Sequence, residues 1–226
     1  MKIGVLLPAY NEEKNIQIVI KEAKKYLPNA KIVVVDDGSI DRTYELAKKE
    51  GAIVLKHEKN RGKGEALKTG FNYFLENPKI DAVVVADTDR QYRLEDVPNF
   101  LKVLESGEVD YATGYRVPKQ IPFANRLGNF IWRSLFNFFF KIKLKDCSCG
   151  FIGLNRNALK KMKNIRGGYI IESSMLADCV KTKLRIKQVP VRVFYGKRKF
   201  TKFARMFFGV LVFILLEGFK YRLGVK

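Results

Sequence analysis

Histidine, tryptophan and acidic side chains are scarce in this chain of 226 residues: one His, one Trp, and 23 Asp plus Glu against 43 Lys plus Arg. Each shortage closes off a class of protein. His57 stands alone, and Cys147 and Cys149 lie too close together for a usual zinc ligand pair, which argues against a structural zinc. Three cysteines without framework spacing argue against a secreted disulfide scaffold. Long apolar runs are missing too. Met206–Leu216 holds eleven uninterrupted apolar residues before Glu217 breaks it, against roughly 20 needed to span a bilayer as a helix. The N-terminal "MKIGVLLPAYNEE" turns polar too soon for a signal peptide and reads as a first strand. The shortage of acid leaves a net charge of +20, which implies an anionic partner: nucleic acid, anionic lipid or a phosphorylated substrate. No stretch resembles an RNA- or DNA-binding motif, and basic residues interleave with apolar ones at helical spacing, so no nucleic-acid partner is expected.

What is present is a core. Hydrophobic residues make up 47% of the chain, too many for disorder. In the first half, β-branched apolar runs ("KIGVLLP", "AKIVVVDD", "GAIVLKH", "DAVVVAD") alternate with helical stretches ("EEKNIQIVIKEAKKYL", "DRTYELAKKE", "GKGEALKTGFNYFLE"). That alternation predicts an α/β domain with a mostly parallel sheet flanked by helices. In such sheets ligands bind beyond the carboxyl ends of the strands. Asp36, Asp37, Asp87 and Asp89 all sit at such ends.

The second half differs. "DYATGYR" is a further strand candidate. From Phe123 to Phe140 an amphipathic helix carries Arg126, Asn129, Arg133 and Asn137 on one side and mostly Phe, Leu, Ile and Trp on the other. "GFIGLN", a helix near Arg156 to Lys163, another near Glu172 to Lys183 and the strand-like "RIKQVPVRVFY" follow, and the chain closes on "FARMFFGVLVFILLEGFKYRLGVK". That segment reads as a helix lying in a membrane interface, with packing on its own domain as the alternative. The expected division is residues 1–202 as one domain, including the helix near 123–140, and residues 203–226 as an apolar, basic, membrane-associating helix.

The chemistry-bearing residues cluster at strand-to-helix edges. "VVADTDRQY" ends an apolar strand in two aspartates, Asp87 and Asp89, with Gln91 beyond. Like charges there are explained either by a turn and cap or by a hard cation, which takes oxygen ligands. "PAYNEE" puts Glu12 near a helix start. "VDDGSIDRT" supplies a tight turn at Gly38 and a cap at Asp41. "NRGKGEAL" is a Gly-rich turn feeding a helix whose N-terminus and Lys63 can face a phosphate.

In this order the motifs Pro8–Glu12, Asp36–Ser39 with Asp41 and Thr43, Asn60 with Gly62–Gly64, and Asp87–Asp89 resemble glycosyltransferase family 2. Within it, the match resembles most the dolichyl-phosphate mannose synthase and polyprenyl-phosphate glycosyltransferase branch. Gln91 keeps that branch's spacing. "TGYR" resembles its Gly-Ser-Arg. "DCSCGF" resembles its Asp-x-x-Ser-Gly-Phe, with Cys149 in place of the serine. "RKFTKF" resembles its Arg-Gly-x-Ser-Lys, with Lys199 and Thr201 as departures. The Gln-x-x-Arg-Trp motif of processive polysaccharide synthases is missing.

The resemblance implies a GT-A fold and a metal-dependent inverting hexosyltransferase. It would move a sugar from GDP-mannose or a UDP-sugar to a polyprenyl or dolichyl phosphate. It implies that Pro8, Tyr10, Glu12, Val35, Asp37, Asp87, Thr88, Asp89 and Arg116 bind the nucleotide sugar. Asp87, Asp89 and Gln91 would hold Mg²⁺ or Mn²⁺, with Asp89 and Arg116 central to catalysis. Arg198 and Lys202 would meet the acceptor phosphate. Glu172 is either an orienting carboxylate or a surface helix residue. The implied place is the cytoplasmic face of a membrane, peripheral or interfacial, with anionic lipid or a membrane protein as partner. The alternative is a family 2 enzyme acting on a soluble or glycan acceptor.

Overall fold

The computed structural model describes residues 1–117, 123–162, 164–194 and 200–225, without the side chains of 123–125 and 200–205. Strands β1 (Ile3–Ala9), β2 (Lys31–Asp36), β3 (Ile53–Lys56) and β4 (Ala82–Val85) alternate with helices α1 (Ile16–Tyr26), α2 (Thr43–Lys49) and α3 (Lys63–Leu75). Then follow α4 (Val97–Glu105), β5 (Tyr111–Arg116), α5 (Phe123–Phe140), β6 (Ile152–Asn155), α6 (Arg156–Lys161), α7 (Ile171–Lys181), β7 (Ile186–Val191) and α8 (Phe200–Arg222). The seven strands form one sheet in the order β3-β2-β1-β4-β6-β5-β7. Only β6 is reversed, antiparallel to both β4 and β5.

The continuous apolar strands are two-faced despite lacking polar alternation. Leu6, Val33, Val35, Val83 and Val85 pack on one side of the sheet with α3. Val5, Leu7, Val34, Ala82 and Val84 pack on the other with α1 and α4. The period of two is that of the pleat, and both faces are covered by helices, as parallel sheets require.

The first face also carries α5 and α8. Trp132, Phe136, Phe139, Phe140, Val210, Phe213 and Ile214 belong to the same core as Leu6 and Val33. Side by side, Trp132 lies against Phe207 and Phe139 against Phe219, so the two helices run parallel. Gly218 permits their close approach, since a Cβ there would sit 2.5 Å from Phe139. Helix α5 ends at Phe140 because Lys141 takes a left-handed conformation (φ 53°). The Asn137 side chain then bridges back to Leu144, accepting from its N–H at 2.9 Å and donating to its carbonyl at 3.0 Å.

Helix α8 is anchored by charge as well. Glu217 is buried and meets Lys181 at 2.6 Å, Arg166 at 3.0 Å and Lys220 at 3.2 Å. Burial pushes its carboxyl up, but these cations outweigh burial and hold its pKa at about 2. The inner face of the C-terminal helix is therefore part of the same core as the sheet. Its outer face is not: Phe208, Val212, Leu216, Phe219 and Leu223 are exposed at steps of three and four residues, and Leu127, Phe130 and Phe138 of α5 are exposed too. Among the described residues no helix is long and apolar enough to cross a membrane.

Candidate active site

Because β1, β2, β4 and β5 run the same way, their carboxyl ends share one edge of the sheet. The reversed β6 begins at that edge and brings residues 146–150 with it. The starts of α3 and α7 complete the rim of a cleft of about 960 Å³. Pro8, Tyr10, Glu12, Asp37, Asp87, Thr88, Asp89, Gln91 and Arg116 all line it. Val35 does not. It is fully buried in β2 with its side chain in the core.

At the β1–β2 end two loops hold each other. Asn11 N donates to Ser39 Oγ at 2.9 Å, Ile40 N to Asn11 Oδ1 at 3.0 Å, and Glu12 N to Thr43 Oγ1 at 2.7 Å. Gly38 (φ 72°) is pressed against the Lys59–Asn60 backbone, where a Cβ would fall 2.4 Å from a carbonyl carbon. The sequence put both Asp36 and Asp37 at a strand end where ligands bind. Asp36 is instead fully buried and accepts from Ser39 N. Asp37 borders the cleft, but its carboxylate accepts from Arg61 N at 2.9 Å and Gly62 N at 2.7 Å and meets His57 Nδ1 at 2.6 Å. Its visible work is to build the Gly-rich turn that opens α3.

The acids of "DTDRQ" stand next to that turn. Thr88 is buried and donates to Pro8 O at 3.0 Å, tying β4 to β1. Asp89 accepts from Gln91 N at 2.9 Å, with Arg90 between them left-handed (φ 60°). Burial raises the Glu12 carboxyl above its ordinary value. A hydrogen bond from Asn15 opposes this, while Asp89, Asp41 and Asp87 push the same way as burial. Lys63, the first residue of α3, bridges Asp87 at 2.6 Å and Glu172 of α7 at 3.1 Å. Burial favours the neutral amine, but the two carboxylates outweigh it and hold the ammonium above the usual lysine range. Glu172 therefore faces the site. Gly150 is pressed onto this triad: a Cβ there would lie 2.7 Å from Asp87 Oδ2, 3.2 Å from Lys63 Nζ and 3.3 Å from Glu172 Oε1. That contact is a physical reason for glycine in "DCSCGF".

Asp87, Asp89 and Gln91 offer only oxygen donors suited to a hard cation, at a point where acids already crowd each other. Among the described residues no three His, Cys, Asp or Glu side chains converge as a cation cage. The remaining ligands would then come from water or phosphate, the usual magnesium pattern. The residues fit such an ion. Arg116 is at the site but engaged with Asp146, Nε to Oδ2 at 2.6 Å and Nη2 to Oδ1 at 2.9 Å. Burial would raise the fully buried Asp146, yet Arg116 outweighs it and the carboxyl sits below its ordinary value.

The cleft changes character at its far end. Asn129, Trp132, Tyr169, Ile171, Met206 and Val210 close it, from α5, the turn before α7, the start of α7, and α8. Motif reading missed all six, because their convergence is a matter of helix packing and no short motif marks it. Arg198 and the Lys202 side chain lie outside the described residues. The chain before Arg198 is pinned to the acid loop: Val193 pairs with Tyr92, and Phe194 N donates to Gln91 O at 3.0 Å.

Comparison with known proteins bears on this geometry. Residues 4–163 match the sequence model described as Glycosyl transferase family 2. An uncharacterised protein of Methanocaldococcus jannaschii is 36% identical over 86% of this chain and 82% of its own length. The UDP-N-acetylglucosamine–dolichyl-phosphate N-acetylglucosaminyltransferase of Methanococcus voltae is 27% identical over 95% of this chain and 94% of its own. Among solved structures, the glucosyl-3-phosphoglycerate synthase of Mycobacterium tuberculosis with Mn²⁺, UDP-glucose and phosphoglyceric acid superimposes with a TM-score of 0.77. It is 25% identical, covering 96% of this chain and 79% of that one.

Proposed function

The chain belongs to glycosyltransferase family 2, and we propose that it moves a hexose from a nucleotide sugar to a polyprenyl or dolichyl phosphate at a membrane surface. One observation carries the acceptor half of this reading. A single cleft joins the acids of the strand ends to the apolar walls of α5 and α8, and the outer faces of those helices expose an apolar stripe. A lipid phosphate has the same two halves.

Asp87, Asp89 and Gln91 would hold Mg²⁺ or Mn²⁺, which supplies charge neutralisation for the departing nucleoside diphosphate. The chain's own residues do the rest. The Pro8–Glu12 and Asp36–Thr43 loops hold the nucleotide against the sheet edge. The N-terminus of α3 turns its free N–H groups toward the phosphates. An oxygen of the lipid phosphate attacks the anomeric carbon from the face opposite the diphosphate. The bond to the diphosphate oxygen breaks with its electron pair, and the configuration inverts. The nucleophile is anionic near neutral pH, so no strong protein base is required. Arg116 adds fixed positive charge on the donor side. Arg198 and Lys202 are proposed to meet the lipid phosphate. The relative from Methanococcus voltae, whose name specifies dolichyl phosphate, supports this acceptor.

A second reading has its own support: the similar structure from Mycobacterium tuberculosis holds phosphoglyceric acid, a soluble acceptor. Both are tested at once. The protein is incubated with Mg²⁺ and a panel of labelled nucleotide sugars, with dolichyl phosphate in one arm and 3-phosphoglycerate in the other. Label in the lipid extract supports the first reading. Labelled hexosyl-phosphoglycerate, resolved from unreacted donor by anion-exchange chromatography, with none in the lipid extract, replaces it with the second.

A further inference from the structure

We propose that Lys63 is an exchangeable counter-ion of Asp87: its ammonium gives way to the divalent cation only when a nucleoside diphosphate enters, and Glu172 keeps the displaced ammonium. This rests on the reading of Asp87, Asp89 and Gln91 as the cation site.

The geometry supplies each part. The Lys63 ammonium lies 2.6 Å from Asp87 Oδ1 and 3.1 Å from Glu172 Oε1, so it already touches both the ligand it would leave and the partner it would keep. A cation bound to the same oxygen would stand in contact with that ammonium, and two positive charges at contact repel strongly. The Asp87 side chain is short, and Gly150 leaves it and Glu172 little room on that side, where even a Cβ would fall 2.7 and 3.3 Å from their oxygens. Lys63 has a long flexible stem, and its side chain is 29% exposed toward the cleft, so the ammonium is the part free to move. Lys63 also opens a helix of 13 residues. A helix N-terminus disfavours a cation and favours an anion, so a diphosphate arriving there would draw the ammonium away from Asp87. Cation and nucleotide loading are thereby coupled, and the apo site keeps its carboxylates neutralised without a metal.

The test reads Mn²⁺ binding by electron paramagnetic resonance, without nucleotide and with saturating UDP or GDP. For the unaltered protein the nucleotide should tighten Mn²⁺ binding strongly. In Lys63→Met, Mn²⁺ alone should bind about tenfold tighter, and the ratio of Kd values without and with nucleotide should fall by about the same factor. In Glu172→Gln the ammonium stays on Asp87, so Mn²⁺ binding should weaken more with nucleotide present than without. An unchanged ratio in Lys63→Met overturns the inference. If that variant does not fold, equal weakening of Glu172→Gln in both conditions overturns it instead. Asp89→Asn separates the two levels. Mn²⁺ binding that survives Asp89→Asn refutes the cation site itself, whereas binding lost in Asp89→Asn with an unchanged Lys63→Met ratio refutes only the exchange.

Discussion

The two ends of the cleft are built by different means. At the strand-edge end, short polar segments cross-stitch one another: Asn11 to Ser39, Glu12 to Thr43, Asp37 to the turn at Arg61–Gly62. Each bond joins two compact motifs that lie 24 to 31 residues apart in the chain. At the helical end, Trp132, Met206 and Val210 come together because α5 and α8 pack side by side. Local chemistry fixes the first end and tertiary packing fixes the second. The first should therefore fail through single atoms, and the second through loss of helix docking.

The sharpest break is at Asp89. Asp89→Asn removes a carboxylate from a site where Asp87, Glu12 and Asp41 already repel. Turnover should fall about a thousandfold, equivalent to ~4 kcal/mol of charge stabilisation. Thermal stability should be equal or higher. Full activity at low Mn²⁺ would reduce the pair to an ordinary strand end.

Gly150→Ala tests the same end by geometry alone. The added methyl must displace the Asp87 carboxylate, 2.7 Å from where it would sit. A misplacement of about 1 Å at a reacting site costs on the order of a hundredfold in rate. Circular dichroism should be unchanged while activity drops by that order. If alanine is accepted with full activity, the triad is not held as tightly as the packing implies.

The helical end should respond through stability and pH. Glu217→Gln removes the carboxylate that joins α8 to Lys181 and Arg166, and should cost about 2 kcal/mol, discounting for partners that are partly exposed. The sign follows from the depressed pKa of about 2. The contribution is complete above the ordinary glutamate range near 4.5 and is lost as pH falls toward 2. Urea unfolding at pH 7 should separate the variant from the parent, and at pH 3 the gap should shrink. A gap that persists unchanged at low pH would remove charge from the account of how α8 docks.

The same contrast explains what the sequence disclosed. Strand-to-helix alternation, the turn at Gly38 and the acids at Asp87 and Asp89 are local patterns, and the sheet and the lined cleft follow from them. Val35 is named by resemblance and not by any pattern of its own, and the pleat turns its side chain into the core. Asp37 does line the cleft, but its role in holding the Arg61–Gly62 turn depends on backbone N–H groups about 25 residues away. The Lys63–Asp87–Glu172 triad joins α3, the loop after β4 and α7 across 109 residues of chain, beyond any motif window. Aromatic residues on α5 gave no sign of which would be core and which exposed. Phe136 and Phe138 differ by two positions and by 0% against 66% exposure: two positions turn the helix by about 200°, and the packing of the sheet and α8 decides which of the two sides is core.

The smallest expected effect concerns the outer stripe, and it isolates the membrane reading from everything inside the cleft. Phe208, Val212, Leu216 and Phe219 stand 52–62% exposed on one line of α8. An apolar row facing solvent on a chain of net charge +20 fits an interfacial helix that meets anionic lipid. Leu216→Asp should weaken binding to anionic vesicles about fivefold to tenfold, since burying one such side chain is worth roughly 1.5–3 kcal/mol at most and interfacial insertion is partial. Raising the salt should strip the share due to exposed charge, which is screened beyond about 8 Å at physiological ionic strength, and leave a remainder that the substitution lowers further. Unfolding stability and Mn²⁺ binding should not change, because Leu216 touches neither the core face nor the acids. A variant that binds vesicles as well as the parent while keeping both would show that α8 docks for the sake of the fold alone, and the lipid acceptor would lose its structural support at this end.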